Sequence, residues 1–404
     1  MEKYIKREIE QELKSALLEF PAVALTGPRQ AGKSTMLMKA LGSRYGYVSL
    51  DSENERRQAK EDPAFFLSRM PERIIIDEIQ YAPELLPEIK LAIDKEPKKA
   101  GRFILTGSQY FLMMRDFSET LAGRLFALRM PQLSLGEISE FTGQNNGRKL
   151  FEHACLRTTY PALTADMKRD RHRWYTGYLN TYIERDVRSL YNVGDTREFD
   201  IMIRMLSGVP GQILNMSKLA SGSGVSVTTI KRWMSILEAS GLIYILKPWH
   251  ASVKKRFVKS PKIYFTDTGF ICHLNGIRNA EDIYSHRLFG ELFENYCVSE
   301  ALKCFMNMGV PPDVYYYRED KGPEADFLIN AGGKMHVFEF KAGMKAERKM
   351  ADTAEALIVG RGGVEAVSGA VVTLNDSPMQ LSDSVKSIGT AQMIKEINKI
   401  VKQY

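Results

Sequence analysis

The sequence has few cysteines and histidines and no long hydrophobic run. Its four cysteines form no Cys-x-x-Cys pair, and its six histidines do not cluster with them. This scarcity excludes a disulfide framework and a zinc-ligand scaffold, and it indicates reduced thiols in a cytoplasmic protein. No stretch approaches the roughly 18 apolar residues that a membrane-spanning helix needs. Residues 1–7 begin a charged, helix-like segment instead of a signal-peptide core, so we expect neither export nor a membrane partner.

Compositional bias is absent as well. The sequence has no internal repeat and no low-complexity tract, and its apolar and charged fractions of 44% and 26% are those of an ordinary globular protein. These values exclude fibrous, collagenous and wholly disordered chains. At about 100–200 residues per domain, 404 residues predict two to four domains. The formal net charge of +7 suits a polyanionic partner such as nucleic acid, and it equally suits a solvated surface.

The first third of the chain alternates short apolar strands with longer helical or irregular segments. After an amphipathic helix over residues 4–18, the pattern predicts strands at residues 21–26, 47–50, 73–76, 102–106 and 125–130. Strands separated by such crossovers are typical of a parallel α/β sheet that is covered on both faces. From about residue 135 the pattern becomes helical and charged.

A glycine-rich loop follows the first predicted strand and matches G-x-x-x-x-G-K-[ST] at every position. Its backbone amides form a nest for the β-phosphate, and the next helix directs its positive N-terminal end at the same phosphates. We expect Lys33 to contact the β- and γ-phosphates and Ser34 to ligate Mg²⁺. The predicted cofactors are therefore ATP and Mg²⁺. The residues that bind them are Gly27, Pro28, Arg29, Gln30, Ala31, Gly32, Lys33, Ser34 and Thr35.

Two acids end the predicted strand at residues 73–76. Asp77 is expected to hold the Mg²⁺ shell, and Glu78 is expected to polarise the attacking water, so the pair favours hydrolysis over nucleotide binding alone. Ser108 follows a further strand and is a candidate for positioning this water, with an ordinary strand-to-turn boundary as the alternative. Arg124 is a candidate for neutralising charge, in the same chain or from a neighbouring subunit, with a surface arginine as the alternative.

The motifs occur in a familiar order. The sequence resembles an AAA+-type ATPase family of bacteria and archaea in segments 28–34, 76–80, 105–108 and 121–124. Members of this family join the ATPase module to a C-terminal domain of uncharacterised function, which the chain resembles in segments 182–188, 290–295 and 324–327. The resemblance covers essentially the whole chain and puts Ser108 at the sensor position. One departure is Thr-Thr-Tyr-Pro at residues 158–161, where the family usually has glycines before its proline.

Residues 199–280 predict a winged helix-turn-helix. A short helix capped by Ser217 is followed by a glycine turn and by a second helix, residues 227–239, capped by Ser226. Strands at 242–246 and 262–266 then form a hairpin, and two short helices with a basic hairpin are typical of this fold. Contact with DNA phosphates is the favoured role, and contact with protein is the alternative. The basic residues between the strands are Lys254, Lys255 and Arg256.

The last part of the chain carries an acid-hairpin-Glu-x-Lys pattern, which is typical of restriction-endonuclease-like metal sites. Period two puts Glu339 and Lys341 on one face of a strand, and Asp326 lies on the strand before it. Asp326 and Glu339 are predicted to hold Mg²⁺, with Lys341 stabilising charge. A helix acid, Glu291 or Glu294, would complete the set. The alternative is a solvated sheet face, or a related fold that has lost cleavage.

These patterns predict an α/β multidomain protein. A P-loop, AAA+-like ATPase domain is expected over residues 1–134, a helical lid over 135–198, a winged helix over 199–280 and an endonuclease-like domain over 281–404. We expect ATP hydrolysis with Mg²⁺, coupled to DNA binding or processing by the C-terminal half. The alternative is a nucleotide-dependent switch that binds a protein partner and has an inactive nuclease-like domain. A homo-oligomer, in which Arg124 serves a neighbouring subunit, is compatible with both.

Overall fold

A parallel sheet forms the N-terminal part of the protein. The computed structural model describes residues 4–107, 117, 120–182, 196–250, 260–319, 322–360 and 364–404. The strands of this sheet are β1 (Ala22–Thr26), β2 (Gly46–Ser49), β3 (Ile74–Asp77), β4 (Phe103–Gly107) and β5 (Leu125–Arg129). Their order is β2-β3-β4-β1-β5, and all four neighbouring pairs are parallel. The predicted parallel α/β sheet is confirmed.

Apolar layers cover both faces of this sheet. Residues of β1 point alternately to two cores: Ala22 and Ala24 belong to one core, and Val23 and Leu25 belong to the other. Because both faces of the strand are covered, residues 22–25 are all apolar. The helices of this region are α1 (Glu10–Glu19), α2 (Lys33–Leu41), α3 (Glu53–Glu61), α4 (Pro63–Ser68) and α5 (Leu85–Lys95). Ligands of such sheets bind at the carboxyl ends of the strands, where the strand order reverses, and β1 lies at that point between β4 and β5.

Helices follow the sheet. They are α6 (Leu135–Thr142), α7 (Gly147–Leu156), α8 (Pro161–Ala165), α9 (Arg171–Tyr182), α10 (Thr196–Ser207), α11 (Met216–Ser223) and α12 (Val227–Ala239). Ser226 caps α12 as predicted, because its hydroxyl accepts from the Thr229 amide. Asn215, and not Ser217, caps α11, since the helix begins at Met216 and the Asn215 side chain accepts from the Lys218 amide.

A two-stranded antiparallel hairpin, β6 (Ile243–Leu246) and β7 (Lys262–Phe265), completes this middle region. Its ends attach to the C-terminal part of the chain, because the Trp249 amide donates to the Tyr316 carbonyl over 2.6 Å. The Tyr316 hydroxyl in turn donates to the Ser260 carbonyl over 2.6 Å. The predicted basic residues Lys254, Lys255 and Arg256 lie outside the described residues.

The C-terminal part is built on a mixed six-stranded sheet. Its strands are β8 (Val314–Arg318), β9 (Glu324–Ala331), β10 (Lys334–Phe340), β11 (Ala366–Thr373), β12 (Met379–Gln380) and β13 (Val385–Gly389). Their order is β12-β13-β11-β10-β9-β8, with antiparallel pairs at both edges and parallel pairs around β11. The helices are α13 (Thr268–Leu274), α14 (Ala280–Ser285), α15 (Phe289–Asn307), α16 (Asp352–Ile358) and α17 (Thr390–Val401).

One hydrophobic core runs through the middle and C-terminal parts. It joins Phe151 of α7, Trp233 of α12, Tyr264 of β7, Phe293 of α15 and Ile397 of α17, among others. Beyond its first turn, the helix α15 is buried on nearly all sides, as a helix within a core is. The regions predicted as a lid, a winged helix and an endonuclease-like domain therefore share one core. Within the described ranges, no helix combines the length and the apolarity that a bilayer crossing requires.

Candidate active site

The glycine-rich loop occupies the carboxyl end of β1. Gly27 adopts φ +149°, and a Cβ there would lie 2.2 Å from the carbonyl oxygen of Met130 on the adjoining segment. Only glycine fits at this position without moving that backbone. Gly32, at φ +92°, leads directly into α2, so the N-terminal end of that helix faces the loop. This local structure is the one that the motif predicts.

Lys33 and Ser34 begin α2 and have different partners. The buried Lys33 ammonium donates to the carbonyls of Gly27 and Pro28, over 2.9 and 3.0 Å, so the cation is held inside the curve of the loop. The Ser34 hydroxyl donates to Asp77 Oδ2 over 2.8 Å. The predicted Mg²⁺ ligands, Ser34 and Asp77, are thus in direct contact.

Asp77 ends β3 and accepts hydrogen bonds from three hydroxyls. Besides Ser34, Tyr47 donates to Oδ2 over 2.6 Å, and Thr106 of β4 donates to Oδ1. Hydrogen bonds to an ionised carboxylate are strong and fix its orientation. Burial, followed by the bond to Asp77, raises the pKa of Tyr47 to about 12, which keeps this tyrosine a donor. Sequence patterns pointed to Asp77 but not to Tyr47 or Thr106, which lie on neighbouring strands.

Glu78 has a strained backbone and a side chain that faces the nucleotide pocket. It adopts φ 58° and ψ 44°, a left-handed conformation that is uncommon for glutamate and occurs often at functional sites. Its carboxylate accepts from Gln80 Nε2. Burial raises the pKa of Glu78, against the opposing charges of Lys33 and Arg29 and the bond from Gln80. A carboxylate with a raised pKa is a better proton acceptor, as hydrolysis requires.

These groups converge on a pocket of about 580 Å³, a size that accommodates a nucleotide. Sequence reasoning missed Tyr178 and Thr181 of α9, which cover the loop from the helical region and belong to no motif. The Tyr178 hydroxyl lies 3.1 Å from that of Tyr160. The pocket is lined by Arg29, Gln30, Gly32, Lys33, Ser34, Thr35, Glu78, Tyr178 and Thr181.

Arg7 fixes the loop from behind and was also missed. Its buried guanidinium donates to the Ala31 carbonyl over 2.7 Å and to the Pro131 carbonyl over 2.7 Å. Its Nε pairs with Glu137 Oε1 at 3.0 Å, and Glu137 forms a capping box with Ser134 at the start of α6. This ion pair therefore ties the loop to the segment that leaves the sheet.

The structure corrects the prediction that Arg124 neutralises charge within its own chain. Its guanidinium pairs with Asp94 at 2.6 and 3.1 Å on the surface. Its carbonyl accepts from the Ala22 amide, at the start of β1, whereas the loop follows the other end of that strand. Five extended residues separate the two edges by roughly 13 Å. A role of Arg124 at the site of a neighbouring subunit stays a prediction. The other candidate, Ser108, lies outside the described residues.

The departure at residues 158–161 lies beside the loop. Thr158 adopts φ 90°, a conformation that glycine tolerates and a β-branched residue rarely adopts. Its hydroxyl donates to Asp267 Oδ1 over 2.8 Å, and the amide and hydroxyl of Thr159 donate to the same oxygen. A Cβ added at Gly32 would lie 3.6 Å from Cγ of Pro161, so this segment runs close to the loop. The threonines thus hold, through Asp267, a backbone path that glycines take without strain.

Two acids and a lysine of the C-terminal sheet lie together. Lys341 Nζ lies 3.5 Å from Asp326 Oδ2 and 3.1 Å from Glu339 Oε2, so all three side chains share one side of the sheet. The amide of Phe340 donates to Asp326 Oδ2 over 2.9 Å. Burial, followed by the charge of Asp326, raises the pKa of Glu339.

The expected helix acid is paired differently. Glu294 Oε1 accepts from the Tyr264 hydroxyl over 2.6 Å and lies 3.4 Å from Lys262 Nζ. Burial, followed by the charge of Asp326, raises the pKa of Glu294. Within the described part of the chain, no three acid, cysteine or histidine side chains form a group that could hold a metal ion. Lys262 contacts two members of the predicted carboxylate set, Glu294 and Asp326, and metal binding by this set stays a prediction.

Three family models match successive parts of the chain. An AAA domain matches residues 19–139, and two domains of unknown function, DUF8612 and DUF4143, match residues 148–281 and 289–393. Two relatives are the uncharacterized proteins Rv2008c of Mycobacterium tuberculosis and Mb2031c of Mycobacterium bovis. Each is 32% identical over 338 residues, which are 83% of this chain and 74% of the relative.

Two solved structures resemble the chain distantly. The Walker-type ATPase PABY2304 of Pyrococcus abyssi is 15% identical, with a TM-score of 0.44 over 66% of this chain and 95% of that one. The RuvB Holliday junction branch migration motor of Thermotoga maritima is 17% identical, with a TM-score of 0.31 over 58% of this chain and 88% of that one. Likenesses at this level carry no argument about function.

Proposed function

The chain belongs to the protein family that includes Rv2008c of Mycobacterium tuberculosis, and we propose that it hydrolyses ATP with Mg²⁺ at the AAA+-type P-loop site. The observation that carries this proposal is the contact of Ser34 with Asp77 over 2.8 Å, next to Glu78 at the mouth of the same pocket. A hydroxyl and a carboxylate in contact are ligands that suit Mg²⁺, which prefers hard oxygen donors.

The chain's own groups supply binding, orientation and a base. The loop amides and the end of α2 hold the phosphates, and Lys33 moves from its carbonyl partners to the β- and γ-phosphate oxygens. Ser34 and Asp77 would hold Mg²⁺, which neutralises phosphate charge when bound. Glu78 accepts a proton from the attacking water. At the same time the water oxygen bonds to the γ-phosphorus, and the bond between the γ-phosphorus and the ADP oxygen breaks. Products are ADP and phosphate.

Phosphate release by the purified chain, with ATP and Mg²⁺, tests this proposal. Lys33→Ala should abolish turnover, because the loop loses the cation that contacts the phosphates. Lys39→Ala is the matched control, since Lys39 lies on the same helix and is exposed. Native turnover in Lys33→Ala, or equal losses in both variants, would contradict the proposal.

We further propose that the C-terminal half acts on DNA. The convergence of Asp326 and Glu339 on Lys341 supports a divalent-cation site there, with Lys341 stabilising charge on a phosphate oxygen. The hairpin ends at Trp249 and Ser260 attach to β8, which neighbours the strand of Asp326. The basic residues of the sequence between those ends, Lys254, Lys255 and Arg256, are the ones that we propose contact DNA phosphates.

Binding and turnover with DNA test this second proposal. Replacing Lys254, Lys255 and Arg256 by alanine should weaken duplex binding. The slope of the logarithm of the binding constant against the logarithm of the salt concentration should become shallower by about 0.9 per lost phosphate contact. Alanine at the exposed residues Lys39, Lys95 and Lys98 is the control. DNA should also stimulate ATP turnover. Absence of DNA binding at low salt, with a stable protein partner in its place, would support a nucleotide-dependent protein switch instead.

A further inference from the structure

A buried lysine from the hairpin reaches into the acids of the C-terminal sheet. Lys262 Nζ lies 3.4 Å from Glu294 Oε1, 3.4 Å from Glu324 Oε1 and 4.0 Å from Asp326 Oδ1. The residue is only 5% exposed. A buried ammonium needs such carboxylates, and three of them exceed what one positive charge requires. Lys262 belongs to no motif of the sequence.

A cavity borders two of the carboxylates that Lys262 contacts. The cavity has a volume of about 570 Å³, and its lining includes Gln212, Glu291, Glu294, Asp326 and Lys341. Two of the carboxylates that Lys262 contacts, Glu294 and Asp326, thus face a cavity that an ion can enter.

One acceptor beside this cavity is unsatisfied. Glu339 is 3% exposed, and its Oε1 has no hydrogen-bond partner among the residues that the structure describes. Its other oxygen bonds Lys341, which also contacts Asp326. A buried carboxylate oxygen without a partner is costly, so the arrangement is one that an added cation would complete.

We propose that Glu294 joins Asp326 and Glu339 in binding a divalent, oxygen-preferring cation at this cavity, and that Lys262 is an internal counter-cation that competes with it. The inference rests on the second proposed function, since it gives that metal site its ligands and its regulation. An ammonium and a divalent cation repel strongly at such distances, so the metal displaces Lys262. Because Lys262 is the first residue of β7, its displacement moves the base of the hairpin.

Calorimetric titration of the full chain with Mn²⁺, without nucleotide, tests this proposal. Lys262→Met keeps the length of the side chain and removes its charge, so Mn²⁺ should bind at least about tenfold more tightly than to the native chain. Lys262→Arg keeps the charge and should bind Mn²⁺ as the native chain does. Adding Asp326→Asn to Lys262→Met should abolish the gain, which separates this site from any Mn²⁺ at the P-loop.

Each other outcome has a defined meaning. Equal Mn²⁺ affinity in the native chain and in Lys262→Met, sensitive to Asp326→Asn, would overturn the role of Lys262 and leave the metal site standing. No Asp326-dependent Mn²⁺ binding in folded variants would overturn both. If Lys262→Met unfolds, circular dichroism should show refolding on addition of Mn²⁺, and a chain that stays unfolded at saturating Mn²⁺ would contradict the proposal.

Discussion

Two adjacent residues, Asp77 and Glu78, have opposite surroundings and therefore different chemistry. Asp77 accepts from three hydroxyls, which hold its oxygens in one orientation beside Ser34. Glu78 is turned into the pocket by a left-handed backbone, and burial raises its pKa. A fixed carboxylate suits a metal ligand, and a more basic carboxylate suits a proton acceptor.

At the same scale, Thr158 provides a test of backbone strain. Thr158→Gly and Thr158→Ala both lose the hydroxyl that donates to Asp267, but only alanine keeps a Cβ at φ 90°. The glycine variant should therefore be more stable than the alanine variant, by about 1 kcal/mol in the free energy of unfolding. Urea denaturation measures the difference. An alanine variant as stable as the glycine variant would show that this conformation carries no strain.

Among the elements, α15 connects the two halves of the protein. Its Lys303 donates to the Leu133 carbonyl over 2.9 Å and to Glu300 Oε1 over 2.6 Å. Glu300 Oε2 accepts from the Leu135 amide over 2.7 Å. Near its other end, the same helix presents Glu294 to the C-terminal cavity. The helix α15 thus holds the segment that leaves the N-terminal sheet, and the same helix also lines the second cavity.

This contact predicts the effect of Lys303→Met. The substitution leaves the Glu300 carboxylate buried without its counter-charge, which costs about 3–5 kcal/mol in the free energy of unfolding. Lys395→Met on α17 is the control, because Lys395 is exposed and its loss should change stability by no more than about 0.5 kcal/mol. Chemical denaturation compares the two. A loss below about 1 kcal/mol in Lys303→Met would mean that the pair does not hold the segment.

The sequence predicts those elements whose pattern is local. The phosphate-binding loop, the acids after β3 and the parity of Glu339 and Lys341 follow from short motifs and from period two. Arg124 comes directly before a predicted strand. Its position before the strand, and not after it, already indicates that it lies at the amino edge of the sheet. Arg7, Tyr178 and Lys262 reach their sites from distant segments, and no local pattern records which segments the fold brings together.

At the scale of the whole molecule, buried polar contacts link the nucleotide pocket to the C-terminal cavity. Arg7 joins the Ala31 carbonyl of the loop to Glu137. The adjoining residues 133–135 form hydrogen bonds with Glu300 and Lys303 of α15. We therefore predict that a change in the loop on nucleotide binding acts on a helix that lines the other cavity.

Hydrogen exchange tests this connection. In Glu78→Gln, ATP with Mg²⁺ should slow amide exchange at residues 131–137 and in α15, since the bound loop restrains both. In Lys33→Ala the same addition should leave exchange unchanged, because nucleotide is not held. Slowing confined to residues 27–35 would show that the two cavities are not coupled.

The proposed hydrolysis depends most on Glu78 as the proton acceptor, and replacement of Glu78 by glutamine separates binding from chemistry. Glu78→Gln keeps the size of the side chain and removes the base, so it should bind ATP with Mg²⁺ at close to native affinity. Its single-turnover hydrolysis should be slower by a factor of about 10² or more, the contribution typical of a general base. Glu84→Gln, at an exposed position, should hydrolyse ATP at the native rate. Native single-turnover hydrolysis in Glu78→Gln would contradict the proposed mechanism.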